Sequence, residues 1–209
     1  MQRVQRTATN IIVVLTALAW VLTALAGYSE QAAFALGFIP LRVLHPAVSF
    51  PAAPAFLTPL TATLAHSGLV HVGFNLLMLV WCGAAVERVL GPTGLIILYV
   101  VGAYAAAAAQ WAVAPDAMTP MIGASGAISA VVGAFALSFG RAKPFTNNLR
   151  VNRWINVAWL MIAWVVLQMM MGWLAGGQGY LLATPAHVGG FAAGLLFQRP
   201  LLMWKYRKA

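Results

Sequence analysis

Apolar residues in this chain fall in long continuous runs. They show neither the striped spacing of a surface helix nor the strict alternation of a half-buried strand. Six runs stand out, near Ile11–Ala26, Leu69–Val86, Gly94–Val113, Ser125–Phe139, Trp154–Leu174 and Thr184–Trp204. Most approach the about 20 residues that a helix needs to cross a hydrocarbon core about 30 Å thick. A closed transmembrane barrel would instead alternate apolar and polar residues in stretches of about ten. The pattern therefore predicts an all-α membrane protein, a bundle of six transmembrane helices.

Residues 28–65 break the pattern. Pro40, Pro46, Pro51, Pro54 and Pro59 forbid one long helix. Phe34, Leu36, Phe38, Ile39, Leu41, Phe50 and Phe56 make the segment too apolar for a free linker. Short helices and turns lying partly in the membrane interface are expected. The chain is read as one integral membrane domain over 1–209. Its first helix covers about 11–26, its first external loop about 28–65 and its core about 66–204.

Composition agrees with a lipid solvent. Hydrophobic residues make up 62% and charged residues 7%, against about 25% charged in soluble domains. The net charge of +9 would suggest a nucleic-acid partner if the basic residues formed one face, but they lie between the apolar runs. They set topology instead. Arg3 and Arg6 precede the first run, and Arg88 follows the second. Arg141, Lys143, Arg150 and Arg153 separate the fourth from the fifth; Arg199, Lys205, Arg207 and Lys208 close the sixth. With six spans all of these face one side, the cytoplasm, and only Arg42 is left outside. Both termini are then cytoplasmic. A cleavable leader is the alternative for the first run, because Ala24-Leu25-Ala26 offers an Ala-x-Ala site. Cys82 is the only cysteine, which excludes an intrachain disulfide and a cysteine metal cluster.

Polar groups inside a bilayer are costly and usually face the bundle interior. Three clusters meet that description: His66, His71 and Asn75 at the start of the second run, Gly123-Ala124-Ser125-Gly126 at the fourth, and Ala186-His187 at the sixth. All open even-numbered helices, so all lie toward the external face at one depth. His71 and Asn75, four apart, share a helix side. A serine hydroxyl needs a base, and histidine suits that role near neutral pH. The usual third member is a carboxylate, yet Glu30, Glu87 and Asp116 are the only acids. None falls in the outer half of a run. Any serine chemistry here is thus a dyad, Ser125–His187. Unpaired backbone N–H groups at the start of the Ser125 helix, the Asn75 amide and a His71 ring N–H are candidate oxyanion donors. Gly123 and Gly126 would let a substrate backbone approach. His66 is expected to orient a loop or to hydrogen-bond near the site. Gly190 and Gly194, a small-xxx-small pair, are expected to permit close helix packing.

These residues resemble the motifs of the rhomboid intramembrane proteases. Gly123-Ala124-Ser125-Gly126 looks like their GxSG motif, His71-Val72-Gly73-Phe74-Asn75 like HxxxN, and Ala186-His187 with Gly190 and Gly194 like AHxxGxxxG. Glu87-Arg88-Val89-Leu90-Gly91 resembles the family's segment after the second helix. Order and placement agree over most of residues 50–200. The resemblance implies a six-helix rhomboid-like fold and a Ser125–His187 dyad. It implies an oxyanion site of His71, Asn75 and the Ser125 N–H, and cleavage of transmembrane protein substrates near their external ends. It implies neither cofactor nor metal. One departure stands out. Many members carry Trp-Arg in the first external loop, where this chain reads Phe56-Leu57-Thr58-Pro59-Leu60. Two other functions fit parts of the pattern. A non-catalytic binder of transmembrane helices would be expected to lack the serine or the histidine. A small transporter would want inward-facing carboxylates or interrupted helices near the midplane.

Overall fold

A computed structural model describes residues 7–47, 50–140, 144–174 and 183–207. Arg3, Arg6, Arg141, Lys143 and Lys208, part of the charge asymmetry above, lie outside them. The described residues form helices joined by turns. The single extended pairing among them is an isolated bridge between Phe38 and Met121.

Helix α1, Thr7–Leu25, leaves Ile11, Leu15, Leu18 and Leu22 exposed, as expected of a helix with lipid on one side. The described part of α1 already includes the four residues before the apolar run, and buried Glu87 bonds to it there. The Glu87 carboxylate accepts the Ala8 and Thr9 N–H groups at 2.9 and 3.0 Å and the Thr9 hydroxyl at 2.6 Å. These bonds give the N–H groups at the described end of α1 charged acceptors.

The proline-rich segment folds as α2, Ser29–Leu36, a 3₁₀ turn at Pro40–Val43, and the consecutive short turns Ala55–Leu57, α3 (Thr58–Thr61) and Ala62–Leu64. Buried Arg42 donates to the Ala53 carbonyl across the loop.

The second and third apolar runs are helical almost without interruption. Helix α4, Leu69–Met78, passes through a π-helical turn, Leu79–Gly83, into α5, Ala84–Val113. A straight 45-residue helix would measure about 68 Å, twice the depth of a bilayer. Gly91, at φ +78°, breaks it. That conformation favours glycine, and Pro92 restarts the helix without needing a donor. Residues 92–113 then return alongside. Gly102 packs on Ala127 and Ala130, Ala106 on Gly126, and Ala105 and Ala109 on Gly189.

Helix α6, Ser125–Phe139, and α8, Thr184–Lys205, run parallel at the centre. Any side chain at Gly190 or Gly194 would collide with the carbonyls of Gly126 and Ala130, so these glycines set how closely the helices approach. Leu79, Val86, Leu95, Leu98, Ile128, Val131 and Phe191 fill the core around them, with Cys82 buried nearby. At the far end the Lys205 ammonium donates to the carbonyls of Arg88 and Val89. Helix α7, Leu149–Leu174, lies outermost with Trp159, Ile162, Val166 and Trp173 exposed. By length and apolar content α1, the 69–113 run and α7 can each cross a membrane.

Candidate active site

The starts of α4, α6 and α8 meet at one end of the bundle. Ser125 is the first residue of α6, placed there by the turn at Gly123, φ +107°. A side chain at 123 would run into the His71 ring, with the Asn75 amide nitrogen 3.8 Å away. The turn is held from outside as well. The Gly123 N–H donates to the Ala62 carbonyl at 2.9 Å, and Met121 and Phe38 exchange two backbone bonds. His187 sits in the first turn of α8, which Pro185 helps start.

These constraints bring Ser125 Oγ to 2.9 Å from His187 Nε2. Both residues are buried, each with 8% of its surface exposed. A serine donating to Nε2 leaves the imidazole proton on Nδ1. His187 Nδ1 has no hydrogen-bond partner among the described residues. The ring is therefore oriented by packing and not by an acid. Glu87 is engaged at the opposite end of the bundle, on α1.

His66, His71 and Asn75 gather around the Gly123–Ala124 turn. His66 Nε2 accepts the Ala124 N–H at 3.3 Å, which requires its proton on Nδ1. Burial, and next the nearby His71, push the His66 pKa down to about 3, so the acceptor form is the one present near neutral pH. The His66 and His71 rings lie edge to face at 4.9 Å. Asn75, fully buried, donates one amide hydrogen to the His71 carbonyl at 3.0 Å and keeps a second.

Three participants carried no motif. Ser67 Oγ lies 3.1 Å from His71 Nδ1; a hydroxyl donating there puts the ring proton on Nε2, the atom facing Gly123. The i, i+4 spacing of Ser67 and His71 was the available signal. Ser129, one turn after Ser125, donates its hydroxyl to the Ser125 carbonyl at 2.7 Å. Trp164 of α7 donates its indole N–H to Ser129 Oγ at 2.8 Å and stacks on Phe74 with ring centroids 6.0 Å apart. Nothing in the sequence singled out Trp164 among eight tryptophans.

A family model described as the Rhomboid domain matches residues 54–204. The chain belongs to the rhomboid family. Its apolar helices and that family place it in a membrane. Among curated relatives, rhomboid-type serine protease 2 of Emericella nidulans is 29% identical over 173 residues, covering 76% of this chain and 30% of the relative. Rhomboid protease GluP of Bacillus subtilis is 26% identical over 136 residues, covering 65% and 24%. The chain thus spans less than a third of either rhomboid relative. The matched region contains every candidate residue of the site.

Proposed function

We propose that this rhomboid chain is an intramembrane serine endopeptidase, cleaving transmembrane segments of membrane proteins near their external ends through a Ser125–His187 dyad. The observation that carries this reading is the 2.9 Å contact between Ser125 Oγ and His187 Nε2, at the N-terminus of a buried helix, with no carboxylate hydrogen-bonded to either residue among the described ones. As Oγ attacks the scissile carbonyl, its proton passes to Nε2. The carbonyl oxygen becomes an oxyanion facing the N–H of Ser125 and the second Asn75 amide hydrogen, neither with a partner among the described residues, and His71 Nε2–H. Nε2 then protonates the departing amine, leaving an acyl-serine. Water attacks that ester, Nε2 takes its proton, and the proton returns to Oγ as the acid product leaves.

Six spans with cytoplasmic termini suit this chemistry. Helix α6 has 15 residues and is about 22 Å long, too short for the bilayer. Ser125 then lies below the external surface, at the depth of the end of a substrate helix. The whole chain acts as one domain in this proposal.

Ser125→Ala and His187→Ala should each abolish cleavage of a reporter transmembrane segment in membranes while expression persists. Cleavage surviving in both would remove the assignment and leave a helix-binding role. His71→Ala and Asn75→Ala should each lower turnover by about 10²-fold, the usual effect of losing one oxyanion donor. Fluorophosphonate labelling of the purified protein in detergent, absent in Ser125→Ala, reads the nucleophile directly.

A further inference from the structure

Ser125 is tied to α7 by a directed chain of hydrogen bonds. The Trp164 indole donates to Ser129 Oγ at 2.8 Å, and the Ser129 hydroxyl spends its one hydrogen on the Ser125 carbonyl at 2.7 Å. Ser129 is fully buried and Trp164 is 3% exposed, so water does not compete for either bond. A serine that bonds back to the carbonyl four residues earlier tends to bend a helix. Here that carbonyl belongs to the first residue of α6, where the helix has fewest bonds of its own to hold it. A donor delivered to Ser129 Oγ polarises the hydroxyl and strengthens its bond to the carbonyl. The ring face of the same indole stacks on Phe74, the neighbour of Asn75. One rigid side chain therefore touches both walls of the site without a hydrogen bond to Ser125 or His187 among the described residues.

We infer that Trp164, acting through Ser129, is a positioning residue: it fixes the rotation of the first turn of α6 and so the aim of Ser125 Oγ at His187 Nε2. The inference rests on the protease reading above. It makes nucleophile reactivity depend on a hydrogen bond from α7, a helix otherwise packed lightly at the edge of the bundle.

The test is the second-order rate of fluorophosphonate labelling in detergent, which needs no substrate helix to bind, read beside the thermal midpoint of each variant. Trp164→Phe keeps a ring against Phe74 and removes the donor. Ser129→Ala removes the relay, and Ser129→Thr restores a hydroxyl. Trp164→Phe and Ser129→Ala should each label about tenfold more slowly, the rate equivalent of one net hydrogen bond. The double variant should be no slower than Ser129→Ala, since both changes cut one chain. Ser129→Thr should stay within about twofold of wild type. With reporter substrate the loss should fall on kcat and leave KM unchanged. Wild-type labelling rates in folded Trp164→Phe would overturn the inference and leave the protease reading standing. So would a Ser129→Thr variant as slow as Ser129→Ala, because the site would then be sensing volume. A wild type that fails to label would instead overturn the protease reading, and this inference with it.

Discussion

Gly123 is the residue on which the local geometry turns. Its φ of +107° disfavours any L side chain, and the space a Cβ would need is filled by the His71 ring. Either constraint alone could be relieved by a small shift. Together they oppose each other, because moving the turn away from His71 pulls Ala124 off His66 and Ser125 off His187. Gly123→Ala should therefore lose more activity than stability. Backbone strain of this kind costs on the order of 1–3 kcal/mol, whereas a misplacement of the nucleophile by about 1 Å can cost about 10²-fold in rate. Comparing labelling rate with thermal midpoint checks this. A variant that labels normally would show that the turn is not required to hold Ser125. Sequence reasoning reached Gly123 through its motif and assigned it the approach of substrate. The contact with His71 was invisible there, since it joins residues 52 positions apart.

At the scale of elements, what could be read in advance was what local pattern encodes. Ser125–Phe139 has the bounds its apolar run suggested, because Gly123 and Gly140 punctuate it on both sides. Thr184 likewise opens α8, with Pro185 just behind it. Ser125, His187 and His71 could be grouped because each opens an apolar run of the same parity. The starts of α1 and α7 were read late for a different reason. Thr7 to Asn10 and Leu149 to Arg153 are polar enough to end a hydropathy run, yet they are helical because side chains bond their N–H groups. For α7 the cap is local, the Asn148 side-chain carbonyl oxygen accepting the Arg150 and Val151 N–H groups; for α1 the group is Glu87, 79 residues from Ala8. Glu87 packs like a core residue, 2% exposed, and its two oxygens satisfy three donors at that end of the helix. Glu87→Gln keeps the volume but replaces one acceptor by an amide NH₂ that points donor against donor. Loss of charge-assisted bonds and an unsatisfied N–H should together cost about 2–4 kcal/mol. The thermal midpoint in detergent should fall clearly in Glu87→Gln and stay put in a control such as Arg150→Gln. Equal midpoints would mean that α1 is held by its apolar face alone.

For the whole molecule, the concentration of imidazoles at one end of the bundle makes folding sensitive to acid. His66 shows the sign. Its pKa is about 3 in the folded chain, lowered by burial and by the neighbouring His71, against an ordinary value of about 6.5 in the unfolded chain. Between those values the unfolded chain binds a proton at this position and the folded chain does not, so stability rises with pH through the window. The full stability is present above about pH 6.5 and is lost progressively as the pH falls toward 3. One proton corresponds to at most about 1.4 kcal/mol per pH unit. Protonation would also remove the acceptor from the Ala124 N–H, so acid should loosen the turn beside Ser125 before the helices separate. His66→Gln offers that N–H a carbonyl oxygen that does not titrate. Its stability should decline less steeply than that of wild type between pH 6.5 and pH 4, while the two converge in slope above pH 7. Chemical denaturation in detergent at a series of pH values reads the difference. Parallel curves through the acid window would mean that His66 is already protonated in the folded protein, and the bond from Ala124 to its Nε2 could not exist.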